Sequence, residues 1–284
     1  MARVLALVLV GSGGRTLATQ GRALDSLAIR LAGMSAVSGY EQAARDSLAA
    51  LLPASRRDAL GNLTLVLGQG APRRLLACAL DEVGYVVGGV TPTGYLTLRR
   101  VGRVESPLFD QQLEGQRVTV FGTGGPVPGV VAVRSIHLTR GRTTRPDAPF
   151  TVDDAFVDVG ARDPTEVGAL GVAVLAPVTR TKLPLLYGDR LLAAPAAGRR
   201  ATCAAVLAAA RSATRVKGTV VVAFTVQTVY AGSGLSAVKA LRGPFDAVNQ
   251  PTLPLRFRDT PIETVSLADV AALERALEAW LQGS

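Results

Sequence analysis

The side chains able to do chemistry are few and unevenly placed. Asp81 and Glu82 follow a fully apolar run, Leu75-Leu76-Ala77-Cys78-Ala79-Leu80, and Asp189, Asp246, Asp259 and Glu263 come much later. Paired carboxylates do general acid–base work when their surroundings push their pKa values apart, so these six acids are the candidates for a hydrolytic site. No Asp or Glu occurs between Arg190 and Phe245. The sole histidine, His137, would have to be the base for any nucleophile, whether Ser233 in Gly232-Ser233-Gly234 or Cys78 or Cys203. That Gly-Ser-Gly lacks the flanks of a nucleophile elbow, and a lone histidine in a β loop reads as structural or solvated. Gly11-Ser12-Gly13-Gly14 lacks the rest of a dinucleotide fingerprint and reads as a flexible linker.

Composition bounds the rest. With 284 residues, 48% of them apolar, the chain buries a sizeable core and is not intrinsically disordered. The net charge is +9, with lysine only at Lys182, Lys217 and Lys239. Its arginines are scattered, with local pairs at Arg56-Arg57, Arg73-Arg74, Arg99-Arg100 and Arg199-Arg200. They form no basic helix face, and aromatics are sparse, which argues against nucleic acid. Two cysteines make no disulfide framework, and Cys78 and Cys203 read as small buried hydrophobes. Residues 1–20 read as an extension, poorly ordered or partly a strand. Met1-Ala2-Arg3 followed by Val4–Val10 also has the beginnings of a signal peptide. That run is too short to span a bilayer, and no other segment qualifies. A cytoplasmic location is expected, with secretion the alternative.

Periodicity gives the organisation. Leu24, Leu27, Ala28 and Leu31 follow helical spacing over residues 22–33. Ser38-Gly39-Tyr40-Glu41 predicts a capping box opening a helix to Leu52, with Pro53 as its stop. Asp58-Ala59-Leu60-Gly61-Asn62 predicts a turn, and strands are expected at Leu63–Leu67 and Leu75–Leu80. From Tyr85 to about Leu186, short β-like runs alternate with Gly/Pro turns: Tyr95–Val101, Arg117–Phe121, Gly129–Val133 and Ala155–Val159. One short helix is expected there at Pro164–Leu170, and a loop at Arg140–Pro149. An α/β pattern then returns, with a helix at Arg199–Arg211, a strand at Gly218–Val226, a helix near Leu235–Leu241 and a strand at Leu253–Phe257. Ser266 should cap a last helix whose core stripe is Leu267, Val270, Leu273, Leu277 and Leu281.

Seven segments, in order, resemble the tetrahedral dinuclear-metal aminopeptidases, the family of glutamyl and deblocking aminopeptidases. Val37-Ser38-Gly39-Tyr40-Glu41 is the first and Asp58-Ala59-Leu60-Gly61-Asn62-Leu63 the second. Asp81-Glu82-Val83-Gly84 closes a run similar to the family's first metal-binding segment. Phe156-Val157-Asp158-Val159-Gly160-Ala161, Gly188-Asp189-Arg190 with Arg200-Ala201-Thr202-Cys203, Phe224-Thr225-Val226-Gln227, and Arg256–Glu263 match further segments. The resemblance spans about residues 25 to 280. It implies an α/β fold, with a three-layer metallo-aminopeptidase-like core over residues 21–84 and 187–284. A small β-barrel-like domain is inserted at 85–186, and the core is shortened near 243–253.

The same resemblance implies a site for two divalent cations, yet most of its positions hold the wrong chemistry. Ala79 stands at the first metal histidine, and Asp81 at the acid that orients it. Gly198, followed by Arg199, takes the place of the bridging aspartate. Thr228 and Val229 occupy the places of the catalytic and metal-binding glutamates, and Asp259 that of the last histidine. The expectation is therefore an inactive homologue without metal or catalytic residues, acting through binding or assembly with itself or an active relative, through the inserted domain. One alternative is a working metal-dependent hydrolase that uses zinc, cobalt or manganese in a site rebuilt from the six acids, provided at least three converge in one cleft. On that count Glu82 and Glu263 otherwise read as surface or capping groups and Asp81 as a buried turn former. The other alternative is an arginine-lined module in which Arg199 and Arg200 grip a peptide or carboxylate.

Overall fold

Alternating faces of one sheet organise the molecule. The computed structural model describes residues 13–104, 106, 108–132 and 149–283. Helix α1 is Gly13–Ala32 and α2 is Gln42–Leu51. Strands β1 (Arg56–Arg57), β2 (Leu63–Gly68) and β3 (Arg73–Ala79) follow, then β4 (Gly84–Val90), β5 (Leu96–Val101), β6 (Arg117–Gly122), β7 (Gly125–Val131) and β8 (Phe156–Asp158). After α3 (Pro164–Ala169) come β9 (Pro177–Arg180), β10 (Leu185–Tyr187), β11 (Leu191–Ala193), α4 (Ala197–Ser212) and β12 (Thr219–Thr225). The chain closes with α5 (Ser233–Arg242), β13 (Ala247–Asn249), β14 (Thr264–Ser266) and α6 (Leu267–Gln282).

The core sheet has the order β1-β2-β12-β3-β13, with β12 antiparallel to β2 and parallel to β3. Side chains alternate across a strand, so β3 serves both faces. Leu76 and Cys78 pack in the cluster containing α1, α4 and α6 residues, whereas Leu75 and Ala77 meet Val238 of α5. That is the three-layer arrangement. Strands β4 to β9 close a barrel in the order β4-β5-β8-β7-β6-β9 around its own core, including Val87, Leu98, Val118 and Val178.

Several sequence expectations are corrected. Residues 13–20 are helical as part of α1. The capping box does not form: Glu41 makes no side-chain cap bond, and its Oε1 accepts instead from Gln227 N at 2.9 Å. Leu253–Phe257 is not a strand. Leaving edge strand β13, the chain runs irregularly until Arg256, which bridges Thr264 alone. Short 3-10 turns at Phe109–Leu113 and Val152–Asp154 accompany α3. Cys78 and Cys203 are joined as a disulfide, 5.5 Å apart at Cα. Ser266 caps α6 by accepting from Ala268 and Asp269 N–H, and the stripe behind it is buried apart from the partly buried Leu273. His137, residues 1–12 and most of the Arg140–Pro149 loop lie outside the described residues.

Candidate functional site

Parallel strands end together, and in open α/β sheets the crevice beyond their carboxyl ends receives ligands. Here β3 ends at Ala79, its parallel neighbour β12 at Thr225 and β13 at Asn249. Leu80 N donates to Thr225 O at 2.7 Å, carrying the pairing one residue past β3. A pocket of about 390 Å³ opens at this edge, lined by Ala79, Gly198, Arg199, Thr228 and Arg258 among others.

Local sequence fixes this edge. Asp58 Oδ1 accepts from Gly61 and Asn62 N, both at 2.9 Å, closing the turn before β2. Asn62 then accepts from Val226 N at 3.0 Å and donates to Gly234 O at 3.0 Å. One amide thereby ties the exit of β12 to the start of α5. A β-carbon at Gly234 would stand 2.0 Å from Val226 O, so only glycine permits that approach. These positioning roles of Asp58, Asn62 and Gly234 were not drawn from the sequence. The Asp-x-x-Gly-Asn turn signalled a loop, but not its distant partners.

Beneath the pocket, Asp81 is fully buried. Its carboxylate accepts a short bond from the Thr228 hydroxyl and a 3.1 Å bond from Val229 N. Arg199 Nη1 donates to that hydroxyl at 3.0 Å and to Asp81 O at 3.3 Å. Thr228 thus links the guanidinium to the carboxylate. Val229 turns aside toward the barrel, where a β-carbon at Gly102 would meet its Cγ2 at 2.6 Å. Arg200, expected beside Arg199 as a ligand-binding group, is instead buried. It donates to Leu80 O and Met34 O, and its Nη2 lies 3.2 Å from Glu82 Oε1.

Glu82 and Glu263, expected at the surface or as caps, are both buried. Glu82 pairs with Lys182 and accepts from Ala36 N at 3.0 Å. Burial pushes its carboxyl up, but Lys182 and Arg200 outweigh that and hold it below the ordinary carboxylate range. Burial drives Lys182 down to about 8 against the pull of Glu82. Glu263 accepts from Gly198 N at 2.7 Å and Asp259 N at 3.1 Å, placing a carboxylate on the N-terminus of α4, where the helix dipole favours it. Glu41, given only a capping role in the sequence, is another buried acid here. Burial raises its carboxyl, the backbone bonds at Gly39 and Gln227 oppose that, and the Asp81 charge adds to the rise.

Three of the six candidate acids do share one cleft. Glu82, Asp259 and Glu263 line a small chamber of about 70 Å³, which also has Arg180 and Arg199 in its wall. Asp189 sits in an exposed turn before β11, and Asp246 accepts from Arg73 N at 2.7 Å at the sheet edge.

The donor set does not fit two divalent cations. Zinc and its neighbours need imidazole or carboxylate at about 2.0–2.2 Å. Among the described residues, no His, Asp or Glu lines the 390 Å³ pocket. At Gly198 even a β-carbon would stand 2.5 Å from Leu255 Cδ2 and 3.0 Å from Glu263 Oε1, so Leu255 fills the space a carboxylate there would need. Among the described residues no group of three or more His, Cys, Asp or Glu is arranged to hold a metal ion.

The model of M42 glutamyl aminopeptidases matches residues 61–234. The putative aminopeptidase SgcX of Escherichia coli (strain K12) is 32% identical over 185 residues, covering 62% of this chain and 48% of that protein. The glutamyl aminopeptidase of Lactococcus lactis subsp. cremoris is 30% identical over 161 residues, covering 53% of this chain and 44% of its own. This chain therefore spans about half the length of the curated relatives it matches. Among solved structures, the TET1 peptidase of Pyrococcus horikoshii superposes with a TM-score of 0.80 at 20% identity, over 91% of this chain and 99% of that one. Aminopeptidase APDkam598 of Desulfurococcus kamchatkensis gives 0.79 at 17% identity, over 93% and 96%. These structural likenesses carry the fold, and the matched family model carries the membership: the chain belongs to the M42 glutamyl aminopeptidase family.

Proposed function

We propose that this M42 member does not hydrolyse peptides and instead binds an anionic, carboxylate-bearing ligand in the pocket at the ends of β3 and β12. The observation that supports this reading is the pocket's charge inventory. Among the described residues, Arg199 and Arg258 are the only ionisable side chains lining it, joined by the hydroxyls of Thr202 and Thr252. Guanidinium groups and hydroxyls are donors suited to carboxylate oxygens, and two arginines would repel a cation. Binding of short peptides, measured by calorimetry, should weaken in Arg258→Ala and in Arg199→Ala. Unchanged affinity in both would remove the pocket from the account.

A rebuilt hydrolase is the second reading, favoured by the convergence of Glu82, Asp259 and Glu263 on the smaller chamber. Against it, Glu82 is already paired with Lys182 and Arg200, and Glu263 is held by hydrogen bonds from two backbone amides. Asp259→Asn should leave any trace of peptide cleavage unchanged under the binding reading and abolish it under the hydrolase reading. Self-association belongs to the same proposal. The Pyrococcus horikoshii TET1 peptidase is described as able to assemble into a tetrahedron or a large octahedral shell, and Leu183, Leu185 and Leu186 are exposed around edge strand β10. Light scattering of the purified chain tests it.

A further inference from the structure

We infer that the main pocket takes the C-terminal end of an extended peptide, laid parallel to β3 in the track that β13 abandons. β3 runs to Ala79, but β13 stays paired with it only as far as Asn249, opposite Leu76. In a ladder, successive residues turn their N–H and C=O to opposite edges. Thr219 N donates to Pro72 O at 3.0 Å and Leu80 N to Thr225 O at 2.7 Å, so the even-numbered positions along β3 serve β12. The odd-numbered ones, Ala77 and Ala79 among them, face the other edge, where Arg73 O accepts from Asp246 N at 2.7 Å. Continued in register, the next donor to Ala77 O would be residue 251. That residue is Pro251, which has no N–H, and the chain leaves the sheet there. Among the described residues no group donates to Ala77 O and none accepts from Ala79 N–H.

The vacated length of edge lies in the pocket. Ala77, Cys78 and Ala79 line it on β3, and Gln250, Pro251 and Thr252 line it on the departing chain. A peptide residue placed between them donates to Ala77 O and accepts from Ala79 N–H, the pattern of a parallel strand and of strand addition at a sheet edge. Running with β3, the peptide points its C-terminus past Ala79. Just beyond that residue, Arg199 Nη1 stands 3.3 Å from Asp81 O, and Arg258 lines the same pocket. The terminal carboxylate therefore meets guanidinium groups. An antiparallel peptide would bring its ammonium group there, against like charge, which fixes the direction. At about 390 Å³ the pocket is of ligand size. This inference rests on the binding reading above and names its ligand, a peptide terminus gripped by backbone as well as by charge.

The test measures hydrogen exchange at the Ala79 amide of the full chain by nitrogen-15 NMR. Ala-Ala-Ala, its C-terminal amide and propionate are the probes. Saturating Ala-Ala-Ala should slow exchange at Ala79, and propionate, which has no peptide group, should not. The tripeptide amide should bind more weakly than the acid, and equal binding overturns the proposed direction. Ala79→Pro removes an N–H that no described group uses. It should weaken Ala-Ala-Ala about two- to tenfold, the factor for one neutral hydrogen bond, and leave propionate unchanged. If that variant fails to fold, the exchange contrast in the unaltered chain decides alone. Arg258→Ala should weaken both acids. If it does so while exchange at Ala79 is indifferent to saturating Ala-Ala-Ala, the strand pairing is overturned and the main-pocket reading stands. If neither acid binds, or neither depends on Arg199 or Arg258, the main-pocket reading falls and this inference falls with it.

Discussion

Reducing the Cys78–Cys203 bond should cost this fold a large part of its stability. The bond joins β3 to α4 across a sequence separation of 125. In the chain-entropy description, a loop of that length removes denatured-state freedom worth about 5 kcal/mol, and native disulfides deliver roughly 2–5 kcal/mol when removed. Against a typical total of about 5–15 kcal/mol, that is a substantial fraction. The assay is urea unfolding with and without a phosphine reductant, with alkylation and mass measurement to count thiols. Unreduced protein should show no alkylated cysteine after denaturation. Reduced protein should show two, a lower midpoint and a steeper denaturant slope, because the freed unfolded chain exposes more surface. Two free thiols without reductant, or an unchanged midpoint after verified reduction, would refute the reasoning. Recovery of the bond from cells also bears on the expectation of a cytoplasmic location, since cytosolic thiols are kept reduced.

Two buried acids should respond to pH with opposite signs. Glu82 has a depressed folded pKa, so its contribution is present above the ordinary carboxylate range and is lost as pH falls through the folded value. Glu82→Gln strands Lys182 and Arg200 and should cost about 3–5 kcal/mol at neutral pH, a deficit that shrinks in acid, as read by denaturation at several pH values. Glu41 has a raised folded pKa, so its ionisation lowers stability as pH climbs from the ordinary range through the folded value. Glu41→Gln keeps an acceptor for Gln227 N–H and should gain on the parent over that same climb. Gly234→Ala forces a methyl group onto Val226 O and should lose at least about 2 kcal/mol, visible as a lower thermal midpoint.

What the sequence made legible was periodic or local. The apolar run into Ala79, the β-branched β12 and the Ser266 cap each carry their cause in adjacent residues, and the turn-separated runs of the barrel do the same. What it hid was set by distant partners. Glu41 looked like a cap, but Gln227, far along the chain, offered a better donor in the interior. Glu82 and Glu263 looked like surface acids because their partners, Lys182 and the amides at the start of α4, lie remote in sequence. Arg199 and Arg200 are neighbours, but successive helix residues point about 100° apart, so one reaches the pocket and the other the core. The cysteines, apolar in their local context, gave no sign of pairing until β3 and α4 were laid side by side. Arg258 was missed because nothing local marks an arginine that faces a cavity.

The central claim is that the inherited cleft lacks the donors for paired cations and binds instead of cutting. Elemental analysis of protein purified without chelator, run beside an assay for release of N-terminal residues with zinc, cobalt or manganese added, tests it most directly. Neither stoichiometric metal nor released amino acid is expected. Two metal equivalents per chain together with cleavage would contradict it.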